Sequence, residues 1–392
     1  MNPSEPLRLD IERIQRMALL VGIVGLAVCL IELFVDRYQF FQSYLFAFLF
    51  WNALSIGSLG IYLMHNVVGG NWGVVIRRFV ESGSKTFPLT LAFLLPILIF
   101  AIPTLYVWAR PEGQHDAHIQ LKAAYLNVPF FIGRALFYFA FWILVSLRLS
   151  RISNEQDRTG NPLLAERMRA FSAPSLLVFV FVATFAFFDW IMSLEPHWFS
   201  TVYGAMFLVG QMLETFAFAI ALLVILSKRK PFAGIVKIQH YHDLGNLMLC
   251  FTMLWAYLSL SQFLIIWAGN LPEEIPWYIR RFTGGWGVLG VIIGVFHFCV
   301  PFVLLLMRFI KKDPRLLYKV AIYMIAIRFL DVFWIVEPAF RQRQFWIHWM
   351  DIVAPIGMGG VWIWAFLAHL KARPLLPLHD PRLGYQPLES EV

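Results

Sequence analysis

The sequence predicts an all-α polytopic membrane protein of ten transmembrane helices, built as two repeated four-helix bundles with one peripheral helix at each end. Three observations carry that expectation. Of 392 residues, 59% are hydrophobic and only 14% charged, a balance that a soluble domain of this length does not need. Runs of about 20 apolar residues, the length that crosses ~30 Å of hydrocarbon, recur along the chain. The string Asp-x5-Glu-Pro occurs twice near the end of such a run, as Asp189 to Pro196 and as Asp331 to Pro338.

The apolar runs fall at 17–35, 39–65, 87–109, 127–148 and 173–195, then at 199–226, 243–268, 283–310, 317–338 and 349–370. Their unbroken apolar character argues for helices rather than barrel strands, which would alternate over about 10 residues. The two Asp-x5-Glu-Pro copies close spans five and nine, four helices apart and running in the same direction. A weaker echo has the same spacing: Trp-Ala-Arg-Pro-Glu at 108–112 ends span three, and Trp-Ala-Gly-Asn-Leu-Pro-Glu at 267–273 ends span seven. Both point to a parallel repeat. The expected organisation is therefore 1–38 for the N-terminus and first span, 39–198 for a first bundle of spans two to five, 199–340 for a second bundle of spans six to nine, and 341–392 for the tenth span and tail.

Lys and Arg at span ends and in loops number 23 on the side shared by the two termini and 7 on the other. By the positive-inside rule both termini are cytoplasmic, and the net charge of +8 is a topology signal that requires no nucleic acid. Arg8, Arg13 and Arg16 precede the first span, which ends in Glu32 and Asp36 without a small-x-small cleavage site, so it is expected to be retained. The longest stretch outside the membrane, about 149–172, is too short for a soluble catalytic domain. The second loop, Asn66 to Lys85, reads as an interfacial helix or a docking surface for a cytoplasmic partner.

Cofactor motifs are sparse. The chain has no P-loop, and no Gly-x-Gly-x-x-Gly follows a strand. Cys29, Cys250 and Cys299 are solitary and lie inside spans, so the ligands for an iron–sulfur cluster or covalent haem are lacking. Only His297 of the ten histidines lies deep in a span, which weighs against a membrane haem b.

Charge inside hydrocarbon is expensive, roughly 2.5–3.5 kcal/mol for an Asp at a helix centre, so the polar residues within the spans are the functional candidates. On the cytoplasmic side stand His65 and the cluster His240, Tyr241, His242 and Asp243, a candidate proton-collecting mouth. Near mid-membrane come Asn52, Glu214 with Gln211 one turn before it, Tyr257, His297, and Arg328 with Asp331. Toward the outside come Arg134, Asp189, Gln262, Glu195 and Glu337. At 1.5 Å per residue Asp189 and Glu195 differ in depth by about 9 Å, a gap that a hydroxyl or water bridges. Each candidate also has a plainer reading. Arg328 and Asp331, at i and i+3, can neutralise one another, and Arg134 can pair with Asp189 as a strut. Glu195 and Glu337 precede a Pro that stops a helix, Glu214 can be a hydrogen-bonded interhelical Glu, and the His240 cluster can be an interfacial anchor.

The strings Phe-Phe-Asp-Trp-Ile-Met-Ser-Leu-Glu-Pro-His-Trp-Phe-Ser-Thr-Val-Tyr-Gly at 187–204, Leu-Pro-Glu-Glu-Ile-Pro-Trp-Tyr at 271–278 and His-Tyr-His-Asp-Leu-Gly-Asn-Leu at 240–247 resemble the F-type membrane subunits of bacterial alternative complex III. These belong to the polysulfide-reductase (NrfD-like) membrane-subunit family, and the resemblance covers essentially the whole chain. It implies a non-metal membrane subunit, not catalytic alone, of a quinol:cytochrome c or quinol:oxidase oxidoreductase in the inner membrane. Haem and iron–sulfur clusters are then expected only in partners: a C-type sister membrane subunit, a B-type iron–sulfur subunit, and A-type and E-type haem c subunits, with small membrane subunits beside them. Menaquinol enters the complex, with the C-type sister as the better candidate for the working pocket. The family's proposed proton movement, carried onto this sequence, gives a path of His65, Arg134, Asp189, Glu195, Glu214, His242, Asp243, His297, Arg328, Asp331 and Glu337. A menaquinol-binding subunit, a scaffold without proton transfer and a stand-alone transporter are the other readings open at this point.

Overall fold

The computed structural model of the chain describes residues 5–341, 344–377 and 379–380. Ten long helices organise it: α1 Glu5–Val35, α2 Arg37–Val68, α3 Arg77–Leu105, α4 Val128–Thr159, α5 Leu163–Trp190, α6 Tyr203–Leu226, α7 Ile238–Gly269, α8 Gly284–Leu306, α9 Pro314–Val336 and α10 Met350–Lys371. Among the described residues there is no strand, and nine of these helices are long and apolar enough to cross a membrane. The chain is therefore a multi-pass membrane protein. The helix outside the nine is α9, whose 23 residues include Arg315, Lys319, Arg328 and Asp331.

Local chemistry sets the boundaries. Asp36 accepts hydrogen bonds from the backbone N–H groups of Tyr38 and Gln39 and so caps α2. Asp313 does the same for α9, with Pro314 at the first helical position, where its missing N–H costs nothing. Asn127 caps α4, which runs until Gly160 adopts a left-handed φ of 65°. The stretch 149–172, expected as the longest loop, is thus mostly helix, and the connection between α4 and α5 is confined to 160–162. Nothing between Leu149 and Thr159 breaks a helix, so α4 continues past the end of its apolar run.

The second loop also differs from expectation. Arg77–Ser84 forms the first two turns of α3, and all eight residues are buried, so they offer no docking surface. Arg77 and Arg78 can be buried because Glu81 lies on the same helical face, 3.0 and 2.6 Å from their guanidiniums. Ser153 donates to Glu81 from α4, and Asp380 reaches Arg77 at 2.8 Å from the C-terminal segment. The tail expected beyond the tenth span lies, from residue 381 on, outside the described residues.

Two helices form the centre of the packing. α2 contacts α3, α5, α6 and α10, while α6 contacts α2, α5, α7 and α9. Gly57 lets α2 and α6 approach: a Cβ there would sit 2.1 Å from Thr215 Oγ1 and 2.6 Å from the Gln211 carbonyl oxygen. Close backbone approach over small residues is how helices associate where lipid offers no hydrophobic drive. The outer faces of α4 and α5 show Phe137, Leu144, Leu177 and Phe181, as a lipid-facing surface does. Tyr257, expected among the mid-membrane polar groups, also points outward and is 66% exposed.

α1 packs along α10 in the opposite direction, Lys371 lying 3.7 Å from Glu12 at one end and His348 3.8 Å from Glu32 at the other. The two described ends of the chain therefore share one face, called here the termini face. The close contact is again made by glycine, with a Cβ on Gly25 falling 2.8 Å from Gly357 Cα. Gly25→Ala is expected to lose about 1–3 kcal/mol of stability through overpacking. Gly133→Ala on α4, where nothing lies within 4 Å, should lose none, which thermal unfolding of the purified protein in detergent checks.

Candidate functional site

Apart from the buried Arg77, Arg78 and Glu81 cluster described above, the candidate charged and histidine residues fall into four groups. Toward the far face, opposite the termini, Arg134 of α4 binds Asp189 of α5 through two parallel bonds, Nε to Oδ2 at 2.8 Å and Nη2 to Oδ1 at 2.9 Å. The Tyr138 hydroxyl adds a third at 2.7 Å, and Arg134 also donates to the Tyr125 carbonyl at 2.8 Å. Its guanidinium stacks 3.8 Å from the Tyr125 ring centre and 4.3 Å from that of Phe130. A bidentate, fully bonded pair of this kind is a strut, with one positive charge for one carboxylate.

The second group is arranged otherwise. On α9 Arg328 donates to Asp331 in a short charge-assisted bond, and on α6 Glu214 places Oε2 3.9 Å from Arg328 Nε, beyond hydrogen-bonding distance. Both Glu214 oxygens lack a hydrogen-bond partner, as do the amide groups of Gln211 and of Asn52. Gly210 makes the room for this cluster, since a Cβ there would lie 2.4 Å from Arg328 Cζ. Two carboxylates thus share one guanidinium in a fully buried site. His297 stands on α8 within a π-helical stretch, Gly294–Cys299, its ring edge-on to Trp255 of α7 at 4.0 Å and both ring nitrogens without a hydrogen bond. Such π-turns in α-helices recur at functional sites.

The third group contains both Glu-Pro carboxylates. Glu195 lies beyond the end of α5, after a single 3-10 turn, and each of its oxygens is taken: Oε1 by Arg280 at 2.7 Å and Oε2 by Arg281 at 2.8 Å. Both arginines belong to the short helix Ile275–Phe282. Glu337 follows α9 and lies 3.1 Å from Arg341 Nε without hydrogen-bond geometry. Arg341 in turn grips Asp351 of α10 at 2.8 and 2.9 Å, and Asp351 accepts a 2.6 Å bond from Ser43 of α2. At the surface nearby, His197 reaches Asp116 at 2.7 Å, and that hydrogen bond holds the Asp116 carboxyl below its ordinary range.

The fourth group lies at the termini face. His65 is buried at the end of α2, its Nε2 3.1 Å from the Gly70 carbonyl oxygen and its ring edge-on to Trp72. His242 and Asp243 are half-exposed on the first turns of α7, 3.8 Å apart, and Asp243 accepts a 2.6 Å bond from Gln239. His240, on the same turn, also serves the helix end. Its Nδ1 accepts from the Lys237 backbone N–H at 2.9 Å, which makes it a helix cap.

The candidate path therefore resolves into islands, and no direct hydrogen bond joins any two of Asp189, Glu195, Glu214, Asp331 and Glu337. Two cavities lie among them: one of about 150 Å³ walled by Asp331, Gln262, Tyr278 and Trp277, and an outer cleft of about 490 Å³ walled by Glu195, His197, Arg280 and Trp277. Sequence reasoning missed Arg280, Arg281, Arg341 and Asp351, because each lies at a span edge where a charge ordinarily faces water. The adjacent pair Arg280 and Arg281, on the side with few basic residues, was the available signal. Among the described residues no cluster of His, Cys, Asp and Glu has the makings of a metal site. No family model matches the chain, and no curated protein matches it.

Arg134→Gln should cost about 3–5 kcal/mol by leaving Asp189 buried and unpaired, and Arg134→Gln combined with Asp189→Asn should recover most of that loss. Thermal unfolding of the three purified variants reads the difference.

Proposed function

We propose that the chain is a membrane component of a quinol-oxidising complex of the alternative complex III type, and that it conducts protons across the bacterial inner membrane through carboxylate and histidine half-channels. In this reading α9 also spans, giving ten crossings, α2–α5 and α6–α9 form the two repeated bundles, and the termini face is cytoplasmic. His65, His242 and Asp243 admit protons, Glu214 with Asp331 relays them, and the far-face carboxylates release them. Iron–sulfur and haem c partners carry the electrons, and menaquinol supplies them.

The observation that carries the proposal is the sharing of Arg328 by Glu214 and Asp331. A paired Asp and Arg, such as Asp189 with Arg134, cannot change its protonation without leaving a lone charge in hydrocarbon. Two carboxylates around one guanidinium hold one protonatable site in excess of the fixed charge. Such a site loads and unloads a proton while one carboxylate keeps Arg328 neutralised, as coupled carboxyl pairs do. α6 and α9 pack against one another, which sets this site between a central helix and a neighbour.

A second reading, a menaquinol-binding protein, is favoured by the cavity beside Asp331, where Trp255, Trp277, Tyr278 and Trp334 supply aromatic walls and Gln262 a polar group. A photoreactive quinone analogue labelling this chain in the intact complex would support it, and labelling of a sister chain alone would remove it.

The proton reading is tested in the complex purified with its haem-bearing partners and placed in vesicles. Glu214→Gln and Asp331→Asn should leave assembly and quinol oxidation intact while lowering the number of protons released per electron. Asp189→Asn, within the strut, should lower the yield of assembled complex instead. An unchanged proton-to-electron ratio in well-assembled Glu214→Gln complex contradicts the proposal, and so does purification of the wild-type chain without haem-bearing partners.

A further inference from the structure

At the far-face end of α9, Glu337 and Asp351 repeat the arrangement found around Arg328. Arg341 holds Asp351 through Nη1 to Oδ2 at 2.8 Å and Nη2 to Oδ1 at 2.9 Å. Asp351 also accepts from the Ser43 hydroxyl at 2.6 Å and from the His348 backbone N–H at 2.8 Å, so the roughly four acceptor sites of an ionised carboxylate are all taken. Glu337 is as deeply buried, 0% exposed, yet neither of its oxygens has a hydrogen-bond partner. Its Oε2 stands 3.1 Å from Arg341 Nε, a donor that is itself unbonded. Arg328 and Arg341 thus each meet one carboxylate from their own stretch of chain, Asp331 or Glu337, and one from another helix, Glu214 of α6 or Asp351 of α10.

We propose that Glu337 is the proton-release group of the chain: it carries the exchangeable proton of a second two-carboxylate site and gives it up at the far face, while Asp351 keeps Arg341 neutralised. The proposal rests on the proton-conducting reading above and names its outlet. The saturated bonding of Asp351 leaves Glu337 as the carboxyl that takes the proton. The step balances as a proton transfer. The Glu337 O–H bond breaks, the proton leaves on water at the far face, and the carboxylate left behind is met by the idle Arg341 Nε–H, which needs only to align across 3.1 Å. A proton arriving from the relay site re-forms the O–H bond and frees Nε again.

The position suits release. Glu337 lies six residues beyond Asp331, so at 1.5 Å per residue it is about 9 Å nearer the far face. The segment that covers the site, 344–349, is mostly exposed. Within it Trp346 lies over Arg341, 4.1 Å from guanidinium to ring centre, and its carbonyl accepts from Arg341 Nη1 at 2.6 Å. Trp346 is itself 41% exposed, so the cover over Arg341 reaches the outer surface within one residue. The first motif copy offers no such group there, because Arg134 binds both oxygens of Asp189 and two arginines bind those of Glu195. One carboxylate suffices to neutralise Arg341, so Glu337→Gln leaves the buried pair Arg341 and Asp351 whole. Asp351 acts through Arg341 and is a positioning residue: without its charge, Glu337 becomes the sole counterion and is held as a fixed carboxylate.

The test uses the intact complex in vesicles, with an external quinol, a pH dye on the release side, and rates normalised to the assembled complex. Glu337→Gln should assemble and oxidise quinol as the wild type does, while the phase of proton release that Glu214→Gln removes slows at least about tenfold, the lower range for a lost proton-transfer group. Asp351→Asn should slow the same phase although Glu337 is still present, an effect that a purely structural Glu337 would not produce. Wild-type release in Glu337→Gln, together with loss of that phase in Glu214→Gln, overturns this outlet and leaves the proton-conducting reading standing. Failure of Glu337→Gln to assemble overturns the outlet as well, because Arg341 would then need both carboxylates. Wild-type release in Asp351→Asn overturns the sharing of Arg341, and wild-type release in Glu337→Gln and Glu214→Gln alike overturns both outlet and reading.

Discussion

A charge placed among apolar helices must meet its opposite close by, and in this chain that requirement fastens the helices to one another. Arg134 and Asp189 tie α4 to α5, and Arg281 ties the end of α5 to the Ile335 carbonyl of α9 through Glu195. Arg341 and Asp351 tie the end of α9 to α10, with Ser43 drawing in α2. Arg77, Arg78 and Glu81 fasten α3 to α4 and to the C-terminal segment. Between these pins the contacts are made by small residues, Gly57 against α6 and Gly25 against α10. Breaking a pin by removing one partner leaves a buried charge and costs several kcal/mol, so each pair fixes geometry more than it adds net stability.

The two Asp-x5-Glu-Pro copies follow that rule unequally. Asp189 has its own arginine, whereas Asp331 divides one with Glu214. Glu195 receives two arginines from the short helix Ile275–Phe282, and Glu337 lies beside one that is already committed to Asp351. The motif thus holds a carboxylate with its own arginine in one copy and a carboxylate that shares its arginine in the other. The proposed proton role therefore rests on Glu214 and Asp331 rather than on Asp189, because around Arg328 fixed positive charge is outnumbered.

Much of the architecture was legible because length and hydropathy are local properties. The apolar runs located all ten long helices, and the i, i+3 spacing of Arg328 and Asp331 predicted their pairing. The Arg134 strut was also readable, since few mid-span charges stood available to answer Asp189. Helix ends were less legible: α4 outruns its apolar stretch because polar residues such as Arg151 and Glu155 continue a helix well, and only Gly160 stops it. Burial of Arg77 and Arg78 and the grip of Arg280 and Arg281 on Glu195 were hidden for a different reason. They depend on which helices pack together, and a sequence shows a charge at a span edge without showing whether protein or water lies beside it.

The central claim is that the site around Arg328 changes its proton content as the complex turns over. Infrared difference spectra of the assembled complex, taken between oxidised and quinol-reduced states, read this directly through the carboxylic C=O stretch. The account predicts a carboxyl band that changes between the two states, disappears in Glu214→Gln and persists in Arg134→Gln combined with Asp189→Asn. A spectrum in which Glu214→Gln leaves every carboxyl band of the wild type in place would contradict it.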